Sequence, residues 1–422
     1  MRLKNVGDVA AWRLCAGCGA CVYGCKEKKV RLVDIEEDGI RPVIDGYCKD
    51  CKDCLDFCPG IEVSHKNLDS VPGAAPALKK GWGPVLEIWE GYSADPEIRF
   101  KSSSGGLASA IALFCIGNRG MHGVLHTGAK DFEAWKNGTV LSRTRDEVLL
   151  RTGSRYSPAS PCDGLERIEK APSPCVFIGK PCDIAALRKA EEKRPGLKRN
   201  VGLAIGIFCA GTPSTRGTLE LLKKFKAAAS DVSDIRYRGM GWPGKWVANL
   251  NWGYPAISIP YSEAWGFLQK FRPLRCHLCP DGTSEFADLS CGDPWHREIK
   301  EGEQGYSLVL VRTEKGRKIL RAALDAGYVY LKKAGPAALK NSQDNLLNKR
   351  KAIWGRLLGM KMLFLPTPAL NGFSLYENWK ELDRAGKLRS VLGTIKRILR
   401  RGYLRRLKYR IPEILERKER AQ

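Results

Sequence analysis

Histidine and methionine are scarce in this chain, five of each in 422 residues, and acidic side chains are few, 46 against 71 Lys and Arg. Five histidines are too few to build a histidine metal cluster of their own. His277 sits beside cysteines and His296 follows Gly292-Asp293-Pro294-Trp295, but an ordinary hydrogen-bonded role suits each. Long hydrophobic runs are also missing. The longest, Leu107 to Ile116 and Val201 to Ala210, are broken by serine or glycine and fall short of the roughly 20 residues a bilayer demands, so no transmembrane helix is expected. No secretory leader is visible either, and a cytoplasmic, reducing setting is expected. The shortage of acid leaves a net charge of +25, unevenly placed. Residues 1–75 hold 11 basic and 12 acidic side chains, residues 76–345 hold 40 and 28, and residues 346–422 hold 20 and 6. Acidic cofactors, an acidic protein surface or anionic lipid would all be attracted to such a field, and no specific nucleic-acid binding is expected.

Cysteine, by contrast, is abundant at sixteen. Eight form two copies of C-x2-C-x2-C-x3-C: Cys15, Cys18, Cys21 and Cys25, then Cys48, Cys51, Cys54 and Cys58, the last followed by Pro59. Three thiolates on a tight loop take three corners of a cubane, and in two-cluster ferredoxins the fourth cysteine crosses to the other cluster. On that rule Cys15, Cys18, Cys21 and Cys58 hold one [4Fe-4S] cluster, and Cys48, Cys51, Cys54 and Cys25 hold another. A zinc site needs four thiolates, not eight in a repeated pattern, and cysteines so close in tight loops bridge poorly as disulfides. Lys26 stands after Cys25 where a proline would be expected, which removes no ligand.

The length suits about three domains. We expect a two-cluster ferredoxin-like domain over residues 1–70, a Pro/Gly/Ala-rich linker over 71–84, a body in two parts (85–170 and 171–345) and a basic helical tail over 346–422, α/β in the body and α+β overall. Lys101 to Gly106 precedes the apolar run from Leu107 and reads as a glycine-rich loop opening a helix, a pattern that is usually only a cap. Cys175 to Gly179 reads as a buried strand before a helix carrying Cys182. Leu203 to Phe208 reads as another, ending at Cys209, with Thr212 and Pro213 as N-cap and first residue of a helix through Phe225. Both cysteines thus follow the carboxyl end of a strand, the ligand-binding edge of a parallel sheet. With Cys276 and Cys279 they make either a third [4Fe-4S] site or a set of incidental buried thiols beside a stray C-x2-C. Cys115, Cys162, Cys175 and Cys291 lack a partner pattern and read as core or loop residues.

The order of motifs resembles the beta-subunit family of coenzyme F-420 hydrogenases and dehydrogenases, which includes 7-hydroxymethyl chlorophyll a reductase. The motifs are Ser104-Gly105-Gly106, Gly153 to Pro158, Gly179-Lys180-Pro181-Cys182, Gly206 to Cys209, Arg275 to Cys279, and Ala287 to Ser290 with Gly292-Asp293. The resemblance covers about residues 85 to 335. It implies an FAD beside a body cluster held by Cys182, Cys209, Cys276 and Cys279, with Ser104, Gly105, Gly106, Gly153, Ser154 and Tyr156 in the flavin loops. It also places Lys180 near the flavin, where its charge would favour anionic reduced forms. The fused N-terminal cysteine runs and long basic tail depart from the smallest members. Longer members of this layout resemble proteins of polysaccharide assembly, so coenzyme F-420 is one candidate substrate and not the only one.

The expected function is therefore an FAD-dependent iron-sulfur oxidoreductase with three [4Fe-4S] clusters, taking electrons from, or giving them to, a ferredoxin or another enzyme subunit. The alternative is an electron-transfer subunit without substrate chemistry of its own. Trp242, Trp246 and Trp295, near glycines, could shield a ring system or simply fill a core. Lys387 to Arg410 carries ten basic residues and no acidic one, with Leu388 to Ile411 apolar at mostly helical intervals and a break near Gly402. This amphipathic helix either meets an anionic membrane or protein surface or docks on the protein's own body.

Overall fold

The computed structural model describes residues 3–46, 48, 51–65, 71–251, 253, 255–300 and 302–408. An eight-stranded sheet organises the body in the order Val329–Ala334, Glu87–Ser93, Ser307–Val311, Leu289–Gly292, Val201–Ile207, Cys175–Gly179, Val124–Lys130, Glu133–Ser142. The four strands from Leu289–Gly292 to Val124–Lys130 run parallel, and the remaining pairings are antiparallel. The α/β body is as expected. Its parallel centre is apolar on both faces because helices cover both. Val176, Leu203 and Ile205 pack with Leu107, Ile111 and Phe114 of the helix Leu107–Arg119. Their neighbours Phe177 and Ala204 point the other way, onto Ile184 and Leu187 of the helix Pro181–Lys193. Strands from both parts of the body interleave in this sheet, so residues 85–170 and 171–345 form one packing unit. A three-stranded antiparallel sheet, Ile257–Pro260, Lys245–Leu250 and Val232–Arg236, adds a smaller core around Trp246 and Tyr237.

Several expectations need correction. The supposed linker 71–84 contains the helix Pro76–Trp82, whose Leu78 and Trp82 are buried with Val85, Leu308 and Leu310. Proline at its first position and an i, i+4 apolar pair outweigh the Pro/Gly/Ala composition. The helix after Cys209 starts at Thr215, not Pro213, with Ser214 as N-cap. Ser214 N donates to Phe271 O at 3.0 Å, tying the start of this helix to the segment that precedes Cys276.

The N-terminal residues form short helices around the cysteines, among them Val6–Ala11, Ala20–Gly24 and Asp53–Asp56, and a hairpin of Val30–Ile35 with Gly39–Ile44 between the two runs. The tail returns to this region. The strand Ala369–Asn371 pairs in parallel with Glu62–Ser64, and Met360, Leu365 and Ile398 share a core with Val6, Val9, Leu14, Cys15, Cys21 and Cys58. The expected basic helix spans Arg384–Arg400, capped by Asp383, whose side chain accepts from Gly386 N at 2.7 Å. It ends before Gly402 at φ 63°. Ile411 lies outside the described residues. No helix among the described residues is long and apolar enough to cross a membrane.

Candidate functional site

The sixteen cysteines are all free of disulfides, and twelve fall into three sets of four. Cys15, Cys18, Cys21 and Cys58 line one small cavity together with Gly17 and Gly19. Both glycines have positive φ, 73° and 88°, and a Cβ on Gly19 would stand 2.8 Å from Ser160 O. The loop can therefore turn its thiols inward only because these positions carry no side chain. Burial, then the charges of Cys58 and Cys15, push the Cys18 thiol well up, while burial and Cys15 push Cys58 to about 12. Cys54 is raised by burial and by Cys48, Cys51 and Cys25, and Cys48 by burial, Cys51 and Cys25. The structure thus gathers Cys15, Cys18, Cys21 and Cys58 around one cavity and brings Cys54 near Cys25, Cys48 and Cys51.

The third set assembles at the carboxyl edge of the parallel strands. Cys182 lies at the second position of its helix and Cys209 just beyond its strand, while Cys276 and Cys279 lie in and after the short helix Leu274–His277. Cys182 is raised by burial and Asp183, with Cys209 and Cys279 adding to it. Cys209 is raised by burial, Cys276 and Cys279 to about 11. Cations surround this set. Lys349 draws the Cys209 and Cys279 thiols down, Arg272 donates to Ala210 O at 2.8 Å, and Arg356 donates to His277 O at 2.6 Å. Burial, followed by Arg397, Arg272, Arg356 and Lys349, pushes His277 down to about 2. Lys349, Arg356 and Arg397 belong to the tail, so part of the tail's charge faces inward onto this set.

The expected flavin loops also meet. Ser154 N donates to Ser103 Oγ at 2.5 Å, Ser104 Oγ pairs with Ser307 Oγ at 2.8 Å, and Gly105 N donates to Ser307 Oγ at 2.9 Å. A Cβ on Gly105 would stand 2.5 Å from Gly91 O and 2.7 Å from Ser307 N, and Gly106 at φ 76° caps the following helix. Gly153, at φ 99°, lies against Arg238 O. Buried Ser102 Oγ has no partner among the described residues. Tyr156 packs against Trp265, Tyr261 and Tyr237 at ring distances of 5.0–6.0 Å. Lys180 Nζ donates to Asp183 Oδ2 at 2.6 Å and to Ala159 O at 3.2 Å, tying the chain just after the Gly153 to Pro158 motif to the Cys182 helix.

Sequence reasoning named Trp242 and Trp295 here but missed the Arg238–Asp293 pair and Tyr261 with which they group. Buried Arg238 donates both Nη groups to Asp293, at 2.8 and 2.7 Å, and faces the ring of Tyr261 at 4.5 Å and that of Trp295 at 5.2 Å. Trp242 stacks on Trp295 at 5.4 Å, and Trp295 on Tyr261 at 5.7 Å. Gly292-Asp293-Pro294-Trp295 was the available signal, but nothing tied it to Arg238. Trp246 is not part of this stack; it is fully buried in the smaller core because its strand faces inward there. His296 has ordinary partners, Ser342 Oγ at 2.7 Å and Glu90 Oε1 at 3.3 Å.

The donor sets fit iron-sulfur clusters. Buried thiols that raise one another's pKa are unstable as thiolates until iron compensates their charge. Among the described residues no Cys, His, Asp and Glu side chains crowd onto a single ion's position, whereas a cubane spreads its thiolates over four irons. The serine-glycine cradle and the aromatic wall next to it fit a phosphate-bearing ring cofactor.

Comparison with known proteins identifies the family of the body. Residues 88–165 match the N-terminal model, and residues 174–337 the C-terminal model, of the coenzyme F-420 hydrogenase/dehydrogenase beta subunit, together more than half of the chain. The chain belongs to this family. It is 26% identical over 282 residues to the coenzyme F-420 hydrogenase subunit beta of Methanococcus voltae, covering 65% of this chain and 95% of that protein. It is 25% identical over 305 residues to the subunit of the same name from Methanothermobacter thermautotrophicus, covering 68% and 99%. A chain of the xenon-derivatised F-420-reducing [NiFe] hydrogenase complex from Methanosarcina barkeri shares the fold, with TM-score 0.53, 21% identity, and coverage of 68% of this chain and 97% of that one. The family matches begin after the N-terminal cysteine runs and end before the basic tail.

Proposed function

We propose that this family member is an FAD-dependent iron-sulfur oxidoreductase. Cys15, Cys18, Cys21 and Cys58 hold one [4Fe-4S] cluster, Cys48, Cys51, Cys54 and Cys25 a second, and Cys182, Cys209, Cys276 and Cys279 a third. FAD lies on the loops of Ser104, Gly105, Gly106, Gly153, Ser154 and Tyr156, where it couples the single electrons of the clusters to electron-pair chemistry on a small molecule. Lys180, beside both Cys182 and the flavin loops, supplies positive charge to the reduced flavin. The observation that carries the reading is the gathering of twelve cysteines, Cys182 of the third set lying in a helix whose N-cap Lys180 bonds Ala159 O, three residues past Tyr156. Coenzyme F-420 is the first acceptor or donor to test, and a substrate of polysaccharide biosynthesis the second. A ferredoxin or another enzyme subunit would exchange electrons at the N-terminal clusters in the cytoplasm.

Iron, acid-labile sulfide and flavin per chain after anaerobic purification test this. About twelve irons and one FAD are expected. About eight irons and no flavin after reconstitution would replace the enzyme with a relay subunit serving a partner. The outer face of the helix Arg384–Arg400 exposes Leu388, Leu392 and Leu399 among arginines and lysines, which supports peripheral contact with anionic lipid. Removing residues 387–422 should abolish co-sedimentation with anionic liposomes; unchanged binding would end the lipid reading.

A further inference from the structure

Arg275 is 5% exposed and lies in the short helix that also carries Cys276. Its Nη2 donates to Pro59 O at 3.1 Å, next to Cys58. Its Nε and Nη1 are buried and have no hydrogen-bond partner among the described residues. The flanking Leu274 and Leu278 pack into the core that holds Cys15, Cys21, Cys54 and Cys58. The side chain therefore runs from the helix of Cys276, in the third set, to the residue that follows Cys58, in the first. A buried guanidinium with two idle N–H groups is costly unless an acceptor completes it. The groups that both flanking sets would hold offer such acceptors in their sulfurs.

We propose that Arg275 tunes and couples two clusters, donating its free N–H groups to sulfurs of the Cys15/Cys18/Cys21/Cys58 cluster and of the Cys182/Cys209/Cys276/Cys279 cluster. This rests on the cluster assignment above. Hydrogen bonds to sulfur and nearby positive charge both stabilise the reduced, more negative cluster. One shared cation therefore raises both potentials and keeps them close, which suits electron passage between the N-terminal region and the body. Arg275's hydrogen bond ends on Pro59 O, next to Cys58, so the cluster of Cys25, Cys48, Cys51 and Cys54 serves as an internal control.

The test is an anaerobic potentiometric titration of the full chain followed by electron paramagnetic resonance, comparing wild type with Arg275→Met and Arg275→Lys, with iron counted in each. Two of three midpoint potentials should fall in Arg275→Met. A tenfold loss of reduced-state stabilisation corresponds to about 59 mV per one-electron couple. Arg275→Lys, which keeps the charge but not the fork, should fall between, and it carries the test alone if Arg275→Met loses iron. Full iron content with no potential moved, or with all three moved equally, overturns the proposal. A wild-type chain that binds no third cluster overturns the cluster assignment itself, which the iron count reveals separately.

Discussion

Gly105 is the residue at which the candidate flavin site tolerates least. Any side chain there meets Gly91 O and Ser307 N, backbone of two paired strands that cannot give way. Gly105→Ala should therefore push the Ser104–Gly106 loop off Ser307 and lower flavin per chain at least tenfold while leaving iron unchanged, as read by cofactor analysis of the purified protein. Equal retention of flavin would remove this loop from the site. The eight N-terminal cysteines could be named from the sequence because their spacing is local, whereas Cys182, Cys209, Cys276 and Cys279 come from distant segments. Arg275 was visible only as a basic neighbour of a C-x2-C, since its idle N–H groups depend on what the fold buries around them.

At the scale of elements, the strands carrying Cys175 and Leu203 were readable from short apolar runs followed by helix-start signals. The helix at Pro76–Trp82 was hidden by residues that usually mark linkers. The basic helix of the tail was visible in periodicity, but its inner side was not. Ser390, Thr394 and Ile398 face the protein, and Ile398 touches the core of the first cysteine set. Ile398→Ala should cost about 2–5 kcal/mol in urea unfolding. It should also speed bleaching of cluster absorbance in air, because water and oxygen gain a path beside Cys15 and Cys21. Unchanged stability would mean that the helix is only loosely seated.

Three distant segments meet at one buried charge in the whole molecule. Glu285 accepts from His65 Nε2 at 2.9 Å and from Arg350, and its neighbour in the fold, Arg312, bonds Trp82 O and Pro84 O. Burial alone would raise the Glu285 carboxyl, but Arg350, then His65 and Arg312, hold it down at about 2. Its folded pKa is thus below its unfolded one, so its contribution is complete above about pH 4.5 and is lost as pH falls toward 2. Glu285→Gln strands Arg350 in the interior and should cost about 3–5 kcal/mol. Calorimetry should show the N-terminal region and tail melting before the body, where the wild type melts as one. A single unshifted transition would contradict that link.

The sequence by itself determined the two N-terminal cysteine sets, the α/β character of the body and the motif order that places it in its family, because spacing and strand periodicity are short-range properties. Only the tertiary structure decided which face of the tail is buried, that the linker is core, and that Arg275 stands between two cysteine sets while Arg238 pairs with Asp293. Those facts depend on segments far apart in the chain being packed together, and burial, which sets the worth of each charge and hydrogen bond, exists only after that packing.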